Sequence, residues 1–225
     1  MQPAPSMKVV SVHVGFPREV VWEGKTISTA IFKQPVAGRV AVRWLNLDGD
    51  RQADLSVHGG PDKAIYAYPA EYYTYWRKQF PDMELPWGMF GENLTLEGPL
   101  DETVNIGDRF RAGSAQVMVT QPRMPCYKLG IKFGRDDILK RFLDSGLTGF
   151  YFRVLEEGEV AVGDPITLVA RDQSRVKVSD ITRLYARDKY NLEALQRAVA
   201  LESLAEGWRD YFHRRIVRLA SKSSA

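Results

Sequence analysis

Cys126 is the only cysteine in 225 residues and lies in 121-QPRMPCYKLG-130, between Arg123 and Lys128. A lone thiol commonly packs as a small hydrophobe, and that remains one reading of the position. The two cations open another, because positive charge beside a thiol favours the thiolate and draws in anions. One thiolate makes neither an internal disulfide nor the ligand set of a structural zinc or iron–sulfur site. As a soft ligand, it can complete the coordination of a metal that arrives with most of its ligands in a cofactor. A cysteine hydrolase needs a histidine partner. The supply is His13, His58 and His213; His13 ends an apparent strand, His213 sits in a basic helix, and only His58 lies in a suitable loop. A cysteine phosphatase of the C-x-x-x-x-x-R kind is excluded, since Lys132 stands where the arginine belongs.

The second chemically suggestive stretch is 54-DLSVHGGPDKAIYAYP-69. Gly59 and Gly60 let backbone N–H groups approach an anion, and Lys63 in the same loop supplies charge. A glycine turn carrying a surface lysine is the competing reading. Neither G-x-x-x-x-G-K-[ST] nor G-x-G-x-x-G is present, so the loop is not of a common nucleotide-binding type.

Short runs of β-branched and aromatic residues must carry these loops: 8–14, 26–32, 39–47, 115–120, 149–155 and 166–170. They predict an all-β barrel or sandwich in the first three quarters of the chain. The segments 105-NIGDRFRA-112 and 161-AVGDPITL-168 repeat a Gly-Asp turn before an alternating strand. Helical spacing predicts helices over 69–80 and 135–146, and three more in the tail, over 179–188, 191–204 and 206–219, with Ser179 and Asn191 as N-caps. The boundaries read as a tail over 1–6, a barrel over 7–172, a three-helix domain over 173–220 after a linker near 171–177, and a frayed end over 221–225. A net charge of +3 is too small for bulk nucleic-acid binding, while a pI near 8.9 suits an anionic small ligand. No signal peptide or spanning segment is evident, and a cytoplasmic location is expected.

The segments VHGGPDKAIYAYP, FGENLTLEG and QPRMPCYKLG, in this order and at these intervals, resemble the MOSC family of molybdenum-cofactor-binding β-barrel domains. The helical tail is similar to that of its YiiM-like members, so the resemblance covers nearly the whole chain. It implies a mainly β fold with α: a MOSC-type β-barrel with peripheral helices plus a small C-terminal three-helix domain. It further implies a Mo-molybdopterin cofactor with Cys126 as the metal's protein ligand. By analogy His58, Gly59, Gly60, Lys63, Asn93, Arg123 and Lys128 grip the pterin and its phosphate. Asp54 and Glu92 either orient these groups or bond the pterin ring, or serve only as turn residues.

The activity implied is two-electron reduction of N-hydroxylated compounds, such as 6-N-hydroxylaminopurine, to the amine. Cys126 and His58 would be catalytic, His58 delivering protons. Electrons would come from a separate NADPH-dependent flavoprotein, with no nucleic-acid polymer or membrane as partner. Cofactor sulfurase activity is not expected, because the chain has no room for a pyridoxal-phosphate region. Two other classes stay open: a molybdenum cofactor carrier or storage protein without turnover, and an RNA-binding barrel suggested by Trp44, Trp87 and the many tyrosines.

Overall fold

The computed structural model describes residues 7–53, 59–98 and 100–223. In chain order the strands are β1 (Met7–Val14), β2 (Arg18–Trp22), β3 (Lys25–Thr29), β4 (Gln34–Pro35), β5 (Val40–Val42), β6 (Ile65–Pro69), β7 (Leu94–Glu97), β8 (Arg109–Ala112), β9 (Ala115–Pro122), β10 (Phe150–Glu156), β11 (Gly158–Val160) and β12 (Pro165–Ala170). Seven of them close into a barrel in the order β12-β8-β9-β10-β6-β7-β1, sealed by the pairing of β1 with β12. Closure removes the exposed strand edges that an open sheet must protect. A ring of seven cannot alternate direction all the way round, and the one parallel pair is β6 with β7, through Ala67↔Leu94 and Pro69↔Leu96. A parallel pair needs a long crossover. It is supplied by helix α1 (Ala70–Gln79) and the segment that follows.

Alternation sets the interior. Along β10, Phe150, Phe152 and Val154 are buried while the residues between them are less so. They meet Val9, Leu94, Phe110, Val117, Val119 and Ile166 in one core. The two Gly-Asp segments place Gly107 and Gly163 at φ +88° and +89°, a backbone state glycine adopts without a Cβ clash. The strands they introduce, β8 and β12, pair with each other through Ile166↔Ala112 and Leu168↔Phe110.

Helices α2 (Tyr127–Phe133) and α3 (Asp137–Ser145) join α1 in a second, aromatic core around Tyr68, Tyr73, Trp76, Phe90 and Phe142. Its polar atoms are paired: Trp76 Nε1 donates to the Tyr68 hydroxyl at 2.6 Å, and that hydroxyl donates to the Leu147 carbonyl at 3.1 Å.

The tail forms α4 (Val178–Ala186), α5 (Leu192–Val199) and α6 (Glu206–Ser223). Val178, Ile181, Leu184, Leu195, Leu204 and Phe212 are buried in the same cluster as the barrel interior. The segment expected as a linker is held to the barrel: Arg171 pairs with buried Asp108, and Val176 and Val178 exchange backbone hydrogen bonds with Ile106 and Val104. Asn191 caps α5 by accepting from Ala194 N at 3.1 Å. Ser179 is not a cap; α4 begins one residue earlier, and the Asp180 carboxylate accepts from Lys177 N at 3.0 Å. Two predicted strands are shorter than expected: 26–32 ends at Thr29 in the β2–β3 hairpin outside the barrel, and 39–47 is extended only over β5.

Candidate cofactor cleft

A cleft opens where the end of β9, the start of α2 and the loops around residues 30 and 50 converge. The end of β9 leads into Arg123 and Met124, and Cys126 precedes the first turn of α2 in an extended conformation, its carbonyl accepting from Leu129 N at 2.8 Å. The thiol residue is thereby fixed to a short helix at the cleft wall, half-buried. Lys128, 9% exposed, lines the cleft from the same helix.

Charge in the cleft is one-sided. Among the described residues Lys33, Arg51, Lys63, Arg123 and Lys128 line it, against one carboxylate, Asp50. Burial lowers the Lys33 pKa, with Asp50, its ion-pair partner, acting in the opposite sense. Burial also lowers that of Lys63, partly offset by Asp62.

Arg123 is 5% exposed, with its guanidinium 5.3 Å from the Tyr66 ring centroid and 5.2 Å from that of Phe142. Its Nη1 is buried and has no hydrogen-bond partner among the described residues. Buried donors are almost always satisfied, so an unspent one beside a cationic cleft is what an anionic ligand would complete. Among the described residues no three His, Cys, Asp or Glu side chains are grouped to hold a metal ion. A metal at Cys126 would therefore bring most of its ligands with it, as the molybdenum of a molybdopterin does. The donor set fits such a group: one soft thiolate, and cations for its anionic portion.

The residues nominated from sequence divide. Cys126, Arg123, Lys128, Lys63 and Asn93 meet at this cleft. Asn93 is already engaged by the protein: its amide nitrogen donates to the His13 carbonyl at 3.2 Å and to Asp50 at 2.8 Å, while its oxygen accepts from Tyr66 N at 3.0 Å. It positions Asp50, and through it Lys33. Gly59 and Gly60 line a neighbouring cleft, which shares Lys63 and Met124 with this one. Glu92 is fully buried and accepts from the Tyr73 and Thr95 hydroxyls and from Gly88 N and Phe90 N. It organises the loop before β7 and does not line the cleft. His58 and Asp54 lie outside the described residues. His13 is 1% exposed, 3.2 Å from Ser11 Oγ, and His213 is exposed on α6.

Lys33, Asp50, Arg51 and Tyr151 were not anticipated. Lys33 follows an apolar run and Asp50 sits in a turn-like LDGD, so neither carried a local signal. The cleft gathers them from positions far apart in sequence.

The chain is similar to known proteins along most of its length. The MOSC domain matches residues 54–167 and the YiiM-like 3-alpha helix domain matches 178–217. The uncharacterized protein YflK of Bacillus subtilis (strain 168) is 43% identical over 211 residues, 94% of this chain and 95% of its own. The crystal structure of YiiM from Geobacillus stearothermophilus superposes with a TM-score of 0.80 at 36% identity, covering 93% of this chain and 99% of that one. A protein named reductase from Gibberella moniliformis (strain M3125 / FGSC 7600) is 33% identical over 181 residues, 79% of this chain and 32% of its own. The chain belongs to the MOSC family, a molybdenum-cofactor-binding type of domain, in the YiiM-like form that carries three C-terminal helices.

Proposed function

We propose that this protein is a molybdenum-cofactor-dependent reductase that converts N-hydroxylated compounds, 6-N-hydroxylaminopurine among them, to the amine. The observation that carries the reading is Cys126 on the wall of a cleft that holds, among the described residues, five cations and one carboxylate, beside the unspent Nη1 of Arg123. The likeness to a protein named reductase supports the same reaction class.

Cys126 would complete the metal's coordination. Arg123, Lys128, Arg51 and Lys63 would hold the anionic parts of the cofactor, Arg123 by donating from Nη1. The bound cofactor supplies the two-electron chemistry that cleaves the N–O bond. The overall change, R–NHOH with two electrons and two protons giving R–NH₂ and water, consumes protons at the cleft. Lys33 Nζ is a proton donor held there by Asp50, and burial makes its ammonium more acidic than an exposed lysine. Electrons would arrive from a separate NADPH-dependent flavoprotein. No helix among the described residues is long and apolar enough to cross a membrane.

The test is molybdenum and pterin content, with reduction of 6-N-hydroxylaminopurine, for the wild-type protein and Cys126→Ala expressed in cells that make the cofactor. Near-stoichiometric molybdenum and turnover in the wild type, with turnover lost in the variant, is the expected result. Stoichiometric cofactor without reduction of any hydroxylamine would instead favour a carrier. No cofactor at all, from cells shown to load another molybdoenzyme, would end the reading.

A further inference from the structure

A second cleft lies where the tail helices meet the barrel. One wall is aromatic: Tyr185 of α4 with Trp208 and Tyr211 of α6, all half-buried, their ring centroids 5.4 to 6.2 Å apart. The facing wall is the turn from Gly59 to Lys63. Gly60 there has φ +93°, and a Cβ built on it would meet nothing within 4 Å, so the turn borders open space. The two walls are held at a fixed separation. Trp208 Nε1 donates to Gln121 Oε1 at 3.0 Å, and Gln121 Nε2 donates to the Asp62 carbonyl at 2.9 Å. Asp62 is in turn paired with Arg153.

This cleft shares Lys63 and Met124 with the cleft that holds Cys126. If the cationic cleft is filled by an anionic cofactor, the group to be reduced must approach from an adjoining compartment. A slot between an aromatic wall and a glycine turn suits a flat ring, which stacks or packs edge-on against tyrosine and tryptophan. The helices of the tail thus supply side chains to a compartment that the barrel alone would leave without an outer wall.

We propose that the junction cleft binds the planar heteroaromatic part of the substrate, packed against Trp208 and Tyr211, with its N–O group directed past Met124 and Lys63 toward Cys126. The assignment rests on the reductase reading for the identity of the ligand's reactive end. It makes Trp208 and Tyr211 specificity residues, with no role in holding the cofactor.

The test uses the full-length protein from cofactor-making cells, its molybdenum content measured, and reads binding of adenine and of non-planar cyclohexylamine by calorimetry. Saturable adenine binding is expected, weakened about tenfold or more in Trp208→Leu and in Tyr211→Ala, retained in Trp208→Phe, and unchanged in Cys126→Ser. Cyclohexylamine should bind far more weakly to every form. In turnover, Trp208→Leu should raise KM for an aromatic N-hydroxylamine while leaving kcat/KM for N-methylhydroxylamine and the molybdenum content unaltered. Absence of adenine binding to the wild type, or equal binding to the wild type and both leucine and alanine variants, would overturn the ring site. Trp208-dependent adenine binding in a protein that reduces no hydroxylamine would sink the reductase reading and leave the ring site standing. Reduction with unchanged KM in Trp208→Leu would do the reverse.

Discussion

Asn93 and Asp50, 43 residues apart, are joined by a 2.8 Å hydrogen bond from the Asn93 amide to Asp50 Oδ2, while Asp50 Oδ1 accepts from Gly15 N at 2.9 Å and pairs with Lys33. Asn93 is 4% exposed and Asp50 3%, so this contact turns a side chain beside β7 into the support for a carboxylate of the cleft. Replacing it with alanine leaves the Asp50 oxygen, the His13 carbonyl and Tyr66 N short of a partner. Asn93→Ala should cost about 1–3 kcal/mol, since unsatisfied buried groups carry their desolvation penalty. Chemical denaturation would read the loss, and cofactor content should fall with it as Lys33 loses its anchor.

Arg123 invites the opposite sign in stability. A buried guanidinium with an unspent donor is costly to the folded chain, and a shape-matched apolar replacement keeps the contacts with Tyr66 and Phe142. Arg123→Met should leave thermal stability of the cofactor-free protein equal or higher, while molybdenum retention drops about tenfold or more for the lost charged hydrogen bond. A fall in both quantities together would show that the guanidinium is structural.

Asp101 gives a pH prediction. Its Oδ2 accepts from Thr148 N and Oγ1 and from Gly149 N, and burial nonetheless raises its pKa from 3.8 to about 6. The folded state therefore holds this proton more tightly than the unfolded state. Stability from this group is fully present below pH ~4 and is lost as pH rises through ~6, by up to about 3 kcal/mol at 1.36 kcal/mol per pKa unit. Unfolding measured between pH 4 and 7 should show that this component of the slope disappears in Asp101→Asn, and an unchanged difference between the two proteins across the range would refute it.

Deleting everything beyond Arg175 should not yield a folded barrel. The cut would remove Val178, Ile181 and Leu184, which are buried in one cluster with Val104, Ile106 and Val119 of the barrel. Loss of several fully buried apolar side chains, each worth about 1.5–3 kcal/mol, is comparable with the whole stability of an ordinary domain. Far-ultraviolet circular dichroism and solubility of the truncated chain are the readouts; a cooperative thermal transition near that of the full chain would contradict the shared core.

Strands with long β-branched runs, such as β1, β9 and β10, were legible because alternation leaves a period-two signature in sequence. The tail helices were equally plain from their apolar spacing. Strand β6 was hidden inside IYAYP, all five residues buried, where alternation has nothing to alternate. Helix α2 was missed because Gly130 interrupts a seven-residue run too short to show a period; its glycine is explained by the Asp136 Oδ1 that a Cβ would approach to 3.2 Å. Cys126, Arg123 and Lys128 were readable as neighbours in one short segment. Lys33 and Asp50 were not, since a contact made by folding loops from different parts of the barrel leaves no mark on local spacing.

The parallel seam between β6 and β7 has a consequence for how such a barrel can vary. Six of its seven junctions join strands that run in opposite directions, and any of those can be closed by a tight turn; the seventh obliges the chain to leave the ring and come back to the same end. The detour, from Ala70 to Asn93, carries α1, the Glu92 hub and the residue that props Asp50. An odd number of staves leaves a remainder of chain, and that remainder is where the barrel stores the parts of its binding site that the staves themselves do not encode.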